Sequence, residues 1–182
     1  ANAGERTRGE LLATLQHLCA KGLLVELSPS TIAGEQEFRF AYAPIWDLAY
    51  ELVEESRKRR YHRLVAQWLE LRPEGRLEDQ QEQAGRHLQR SGDGAGAAAR
   101  YRRAADAARA RYFNDRAIRL YARALACVGE ADEAARIHLW HDLGSVYQLR
   151  GDFDSALDAF ERMLRLSWVV ASRGKGAVAF NK

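Results

Sequence analysis

His138 and His141 stand three residues apart, with Asp142 beside them. On a helix that spacing puts both imidazoles on one face, where they would hold a metal ion if a further ligand joined them from elsewhere in the chain. The zincin pattern is absent, and Trp140, Leu143 and Tyr147 take the apolar side of the same segment. The two histidines therefore read as exposed or groove-facing. Asp152, Asp154 and Asp158 have the chemistry of calcium ligands but lack the loop glycine and later glutamate of an EF-hand. They read as residues that cap a helix and meet the positive end of its dipole. The segment "SRGKGAV" has a Gly-Lys pair but neither the earlier glycine nor the following serine or threonine of a phosphate loop. No catalytic residue, cofactor site or metal site is assigned, and the chain reads as a non-enzyme.

A basic run, Arg57, Lys58, Arg59 and Arg60, has the charge to touch phosphates. Acidic Glu51, Glu54 and Glu55 precede it, which favours a solvated helix face. A net charge of +3 with 29% charged residues is too mild an excess to imply nucleic acid. The 2 cysteines, Cys19 and Cys127, are too few for a disulfide framework or a cysteine-based zinc site and read as small buried hydrophobes. No run of about 20 apolar residues is present, so no membrane span is expected. With no signal peptide visible, the reading is cytoplasmic. The chain starts without methionine and stops inside a helix-like stretch, which reads as a fragment of a longer protein.

These residues need elements to position them. Leu11, Leu12, Leu15, Leu18 and Cys19 recur at three- and four-residue spacings, predicting a helix stopped by Gly22. "LLVEL" and "FRFAY" then read as short strands around a Ser/Pro/Gly loop. Helix, strand, loop, strand suits the last part of a winged helix and gives a first segment, residues 1–43. Pro44 can open a helix with apolar Ile45, Trp46, Leu48, Ala49, Leu52 and Val53. A second follows with Tyr61, Leu64, Val65, Trp68 and Leu69 as its apolar face, and "RPEG" ends these connecting helices, residues 44–75. Residues 76–182 read as helices alone. They are parted by "SGDGAG", by Phe113-Asn114-Asp115 with Asn114 as N-cap, by "GEAD", and by "RGD" with Gly151 ending one helix and Asp152 capping the next. Such short breaks make antiparallel neighbours.

One stretch repeats a known arrangement. Trp140, Leu143, Gly144, Tyr147, Ala156 and Phe160 stand at the tetratricopeptide spacing. Only the closing proline is missing, with Trp168 near its place. Gly144 and Ala156, twelve apart, read as the small residues where two antiparallel helices approach, with Tyr147 and Phe160 filling the space beside them. Upstream, Gly85 and Ala97 repeat the interval with Tyr101 following, and Ala105 and Ala117 repeat it with Tyr121 and Ala124 following. These two echoes share one helix, so they are not both complete separate repeats. After Trp168, "SRGKGAVAFNK" reads as the start of another repeat, with Val178 and Phe180 lacking a partner helix. The chain is identified as a tetratricopeptide-repeat family member. The expected fold is mainly α, a right-handed α-α superhelix of such hairpins preceded by a small winged-helix-like α+β segment. The resemblance implies peptide binding on the concave surface made by each repeat's first helix. Arg102, Asp106, Arg109, His138, His141, Ser145 and Gln148 lie there by helical phase. The lysine-asparagine clamp of chaperone-tail binders does not match, since His141 and Ser145 stand in its place.

A second resemblance spans roughly residues 23–125. Phe38-Arg39-Phe40, Tyr50, Arg60, His62 and the segment "VAQWLE" are similar to the region after the nucleotide-binding domain of STAND-type signalling ATPases. The family's histidine after the strand is replaced by Ala41-Tyr42-Ala43. This implies a multidomain bacterial regulator whose catalytic parts lie outside this chain. The functional expectation is a protein-protein interaction and regulatory module that binds a peptide, a partner protein or other domains of its parent. The alternative is a DNA-contacting winged-helix module of a transcriptional regulator.

Overall fold

The computed structural model describes residues 8–30, 34–71 and 76–180, the last eight of these as backbone. The "RPEG" turn at 72–75 lies outside the described residues. Among them the chain is mainly helical, with eight helices and one two-stranded antiparallel sheet. It divides into two compact units, Ala1–Glu54 and Glu55–Lys182. The division separates the two helices that the sequence reading grouped as a connecting pair.

The first unit holds α1 (Arg8–Ala20), β1 (Leu24–Leu27), β2 (Glu37–Phe40) and α2 (Ala43–Glu51). Gly22, at φ +72, turns the chain from α1 into β1 in the left-handed region that glycine enters without steric cost. The strands pair from Leu24 opposite Phe40 to Leu27 opposite Glu37. Pro44 lies in the first turn of α2, as its missing N–H allows. Packing here is thin: Leu24 is buried, while Leu12, Leu15, Leu18 and Cys19 of α1 are half-buried.

The second unit holds α3 (Glu55–Glu70), α4 (Leu77–Arg90), α5 (Gly94–Ala110), α6 (Asn114–Cys127), α7 (Glu133–Arg150) and α8 (Phe153–Phe180), each packed on the next. Its core is built from alanines around a few large side chains. Ala97, Ala104, Ala105, Ala108, Ala117 and Ala124 are fully enclosed, and Tyr101, Tyr121, Leu120, Leu139 and Val146 fill the space between them. Small residues let helix axes approach. Each buried large side chain then adds roughly 1.5–3 kcal/mol by leaving water.

The cap expected at Asp152 is present, and Asp93 and Asp132 cap two further helices. Asp93 accepts a hydrogen bond from the Gly96 N–H, Asp132 from Ala135 and Asp152 from Ser155. Gly151 sits at φ +83 after α7. Four expectations are corrected. Asn114 is not an N-cap: Phe113 holds that position without a side-chain bond, and the buried Asn114 Oδ1 has no hydrogen-bond partner. Gly94 and Gly96 of "SGDGAG" lie inside α5 rather than in a break, because Asp93 caps the helix ahead of them; Gly92, at φ +86, stays in the break. A side chain on Gly94 would strike the Cys127 carbonyl oxygen at 2.7 Å. On α3 the expected apolar face, Tyr61, Leu64, Val65 and Trp68, is exposed. His62 and Ala66 are its buried residues, because the close contact with α4 takes the slender side of the helix. After Trp168 no new helix starts; α8 continues unbroken to Phe180, since no proline interrupts it. The side chains of Val178 and Phe180 lie outside the description.

Candidate functional site

α5 and α7 carry the residues expected to face a ligand. Arg102 Nη2 lies 2.8 Å from Asp142 Oδ2, a charge contact off the hydrogen-bond line that leaves this buried oxygen without a hydrogen bond. Asp106 accepts a hydrogen bond from the Tyr121 hydroxyl and has Arg109 at 3.9 Å. His141 Nδ1 is 3.6 Å from Asp142 Oδ1, and its ring tilts against that of Phe160 at 6.2 Å. Tyr121 is fully buried. Burial first, and then the hydrogen bond to the Asp106 carboxylate, push its phenol far above the ordinary tyrosine range.

Four candidates, Arg102, Asp106, Arg109 and His141, thus join one polar cluster on α5, α6 and α7. The other three do not. His138 and Gln148 are exposed along α7, and Ser145 is half-buried, its hydroxyl donating to the carbonyl of His141 on its own helix. Asp142 and Tyr121 belong to the cluster and were not among the candidates. Tyr121 was visible in the sequence as a packing residue, but nothing in its spacing showed that its hydroxyl would reach Asp106.

Beside this cluster a groove of about 560 Å³ opens between α5 and the start of α7. Ala95, Ala98, Ala99, Val128 and Leu139 give it an alkyl floor, and Arg102, Arg103, Asp106 and Asp132 stand around it. The two carboxylates are already engaged: Asp106 with Tyr121 and Asp132 with the first turn of α7. Arg102 is held by Asp142. Arg103 is exposed and has no ion pair among the described residues. A second concavity between α3 and α5 shares Ala99 and Arg103 with the first and adds Arg63, Gln67 and Glu70. An extended ligand could run over both, with apolar side chains on the floor and an acidic group at Arg103.

Two further sequence features are placed. In the basic run Lys58 and Arg59 face Glu55 at 3.7 Å each, while Arg57 and Arg60 are exposed. Cys19 and Cys127 are free and half-buried, not buried, and burial pushes the Cys127 thiol upward. Among the described residues no three His, Cys, Asp or Glu side chains gather to hold a metal ion. No helix there is long and apolar enough to cross a membrane.

No family model matches the chain, and no curated protein matches it. Among solved structures it is similar to the crystal structure of BtubC (BKLC) from P. vanneervenii, at 26% identity and a TM-score of 0.48. The match covers 71% of this chain and 56% of that one, so the chain spans little more than half of that protein's length.

Proposed function

We propose that this chain is a non-enzymatic interaction module of tetratricopeptide type, its hairpins forming a right-handed superhelix, within a larger bacterial signalling regulator of the cytoplasm. The repeat reading is supported by one relation that recurs. Gly85 packs under Tyr101 and Gly144 under Phe160, each pair sixteen residues apart, and enclosed Ala105 and Tyr121 stand at the same interval. The module takes a peptide, or a segment of a partner or of another domain of its parent, in the groove between α5 and α7.

The observation that carries this is the groove itself: an alkyl floor, carboxylates already hydrogen-bonded from within, and one exposed arginine, Arg103, with no ion pair among the described residues. That balance selects a segment with aliphatic side chains and an acidic residue. The test is to pan a random peptide library on the chain and measure the selected peptides by fluorescence polarisation. Ala99→Trp fills the floor and Arg103→Glu reverses the free charge; both positions are exposed, so the core stays intact. Each is expected to weaken binding roughly tenfold or more. Peptides that bind both variants as well as the parent chain would rule out this groove.

A further inference from the structure

Away from the groove, α4, α5 and α6 form another concavity, of about 590 Å³, lined by Arg86, Gln89, Arg90, Tyr101 and Arg123. Three guanidinium groups share this one space. The carboxylate beside it is Glu82, which takes Arg86 at 2.5 Å and Arg123 at 3.0 Å, and also Arg116 at 3.0 Å. Asp79 contributes to Arg116 alone. Arg90 has no carboxylate partner among the described residues. Two carboxylates therefore face four guanidinium groups, and the excess positive charge lies on the cavity side. Arg90 stands in the last turn of α4, where the helix dipole favours a cation.

The remaining wall is polar and fixed. The Tyr101 hydroxyl donates to Gln89 Oε1 at 3.0 Å, which leaves the Gln89 amide N–H2 to donate. The Arg123 guanidinium lies 5.8 Å from the centre of the Tyr101 ring, which is itself buried, so its position is anchored in the core. A guanidinium fork holds two phosphate oxygens at a time, as it does those of a carboxylate, and three forks around one space can meet the several oxygens of a phosphate from different sides. The half-exposed carboxylate of Asp79, along the same helix, opposes a long polyanion, so the cavity favours a small one.

We infer that the concavity at Arg86, Arg90 and Arg123 is a binding site for a small phosphate-bearing solute, separate from the peptide groove. A mono- or oligophosphate would bridge the three guanidinium groups and take a further hydrogen bond from Gln89.

The experiment titrates the full chain with inorganic pyrophosphate by calorimetry at constant ionic strength. Saturable one-to-one binding is expected, weakened roughly tenfold in Arg90→Gln and again in Arg123→Gln. Arg57→Gln, a loss of charge on α3, should leave it unchanged. Inorganic phosphate and adenosine triphosphate are run as competitors, and displacement by either places its phosphate in the same site. Absence of saturable heat, or an equal loss in Arg57→Gln, overturns the site. So does pyrophosphate binding that survives both cavity variants. Binding of a short DNA duplex that Arg90→Gln abolishes, with no response to pyrophosphate, would replace the small solute by nucleic acid. Because Arg90 is exposed and has no ion pair among the described residues, its variant should keep the parent's circular dichroism. Ala99→Trp, which blocks the peptide groove, should leave pyrophosphate binding intact.

Discussion

Gly144 lies directly beneath the ring of Phe160: a methyl group on Gly144 would sit 2.7 Å from Phe160 Cε1. The same contact joins Gly85 to Tyr101, where the methyl would be 3.0 Å from two ring carbons. At both places the glycine is therefore required by the aromatic residue sixteen positions later. Gly144→Ala should cost about 1–3 kcal/mol by overpacking, more than the roughly 1 kcal/mol gained in helix propensity. In a Phe160→Ala background the sign should reverse, leaving only the propensity gain. Urea unfolding of the four proteins in a double-mutant cycle reads this directly. An equal cost in both backgrounds would show that the ring is not the reason for the glycine.

Tyr112 holds φ +60 at the end of α5, a place that Gly92 and Gly151 occupy after α4 and α7. Its side chain is 86% exposed, so no packing compensates the left-handed backbone. Tyr112→Gly should raise the thermal midpoint, with a net gain of up to about 1 kcal/mol once glycine's extra unfolded entropy is deducted. Tyr112→Ala should give no such gain, since alanine meets the same clash.

Tyr121 joins the core to the polar cluster through its hydroxyl. Tyr121→Phe keeps the ring and removes the bond to Asp106, and should cost about 1 kcal/mol, because half-exposed Asp106 regains water. In the parent chain the ultraviolet phenolate band of this residue should appear only with unfolding, since burial and the neighbouring carboxylate hold the proton. A reversible phenolate signal from Tyr121 in the folded state would contradict its enclosure.

His62 and His87 bring their Nδ1 atoms to 2.9 Å between α3 and α4, so one proton serves both. Burial holds each below the usual 6.5. Arg90 adds to this at both histidines, His62 and Arg86 add to it at His87, and Glu55 opposes it at His62. The unfolded histidines take protons first as pH falls. The pair's contribution is therefore complete above pH 6.5 and declines as pH drops below that value. Urea midpoints at neutral and mildly acidic pH should differ more in the parent chain than in His87→Gln. An equal shift in both would place the acid sensitivity elsewhere.

Local patterns along the chain were enough for the helical class, the short strand pair and the caps at Asp152 and Gly151, because each depends on residues within one or two turns. Small and aromatic positions at constant intervals were legible for the same reason. Other features depended on which face of each helix met a neighbour. On α3 the face rich in tyrosine, leucine and tryptophan was expected to be buried, but the closely packed neighbour α4 took the side of His62 and Ala66 instead. Gly144 was read as facing Ala156, but its nearest atoms belong to Phe160, because the ring leans back along its helix over the glycine. The Arg102–Asp142 contact, the Tyr121–Asp106 bond, the histidine pair and the guanidinium cavity each join side chains from different helices. Periodicity shows which side of a helix a residue occupies. The partner it meets there is settled by the rotation and offset of a second helix, which are properties of the packed core.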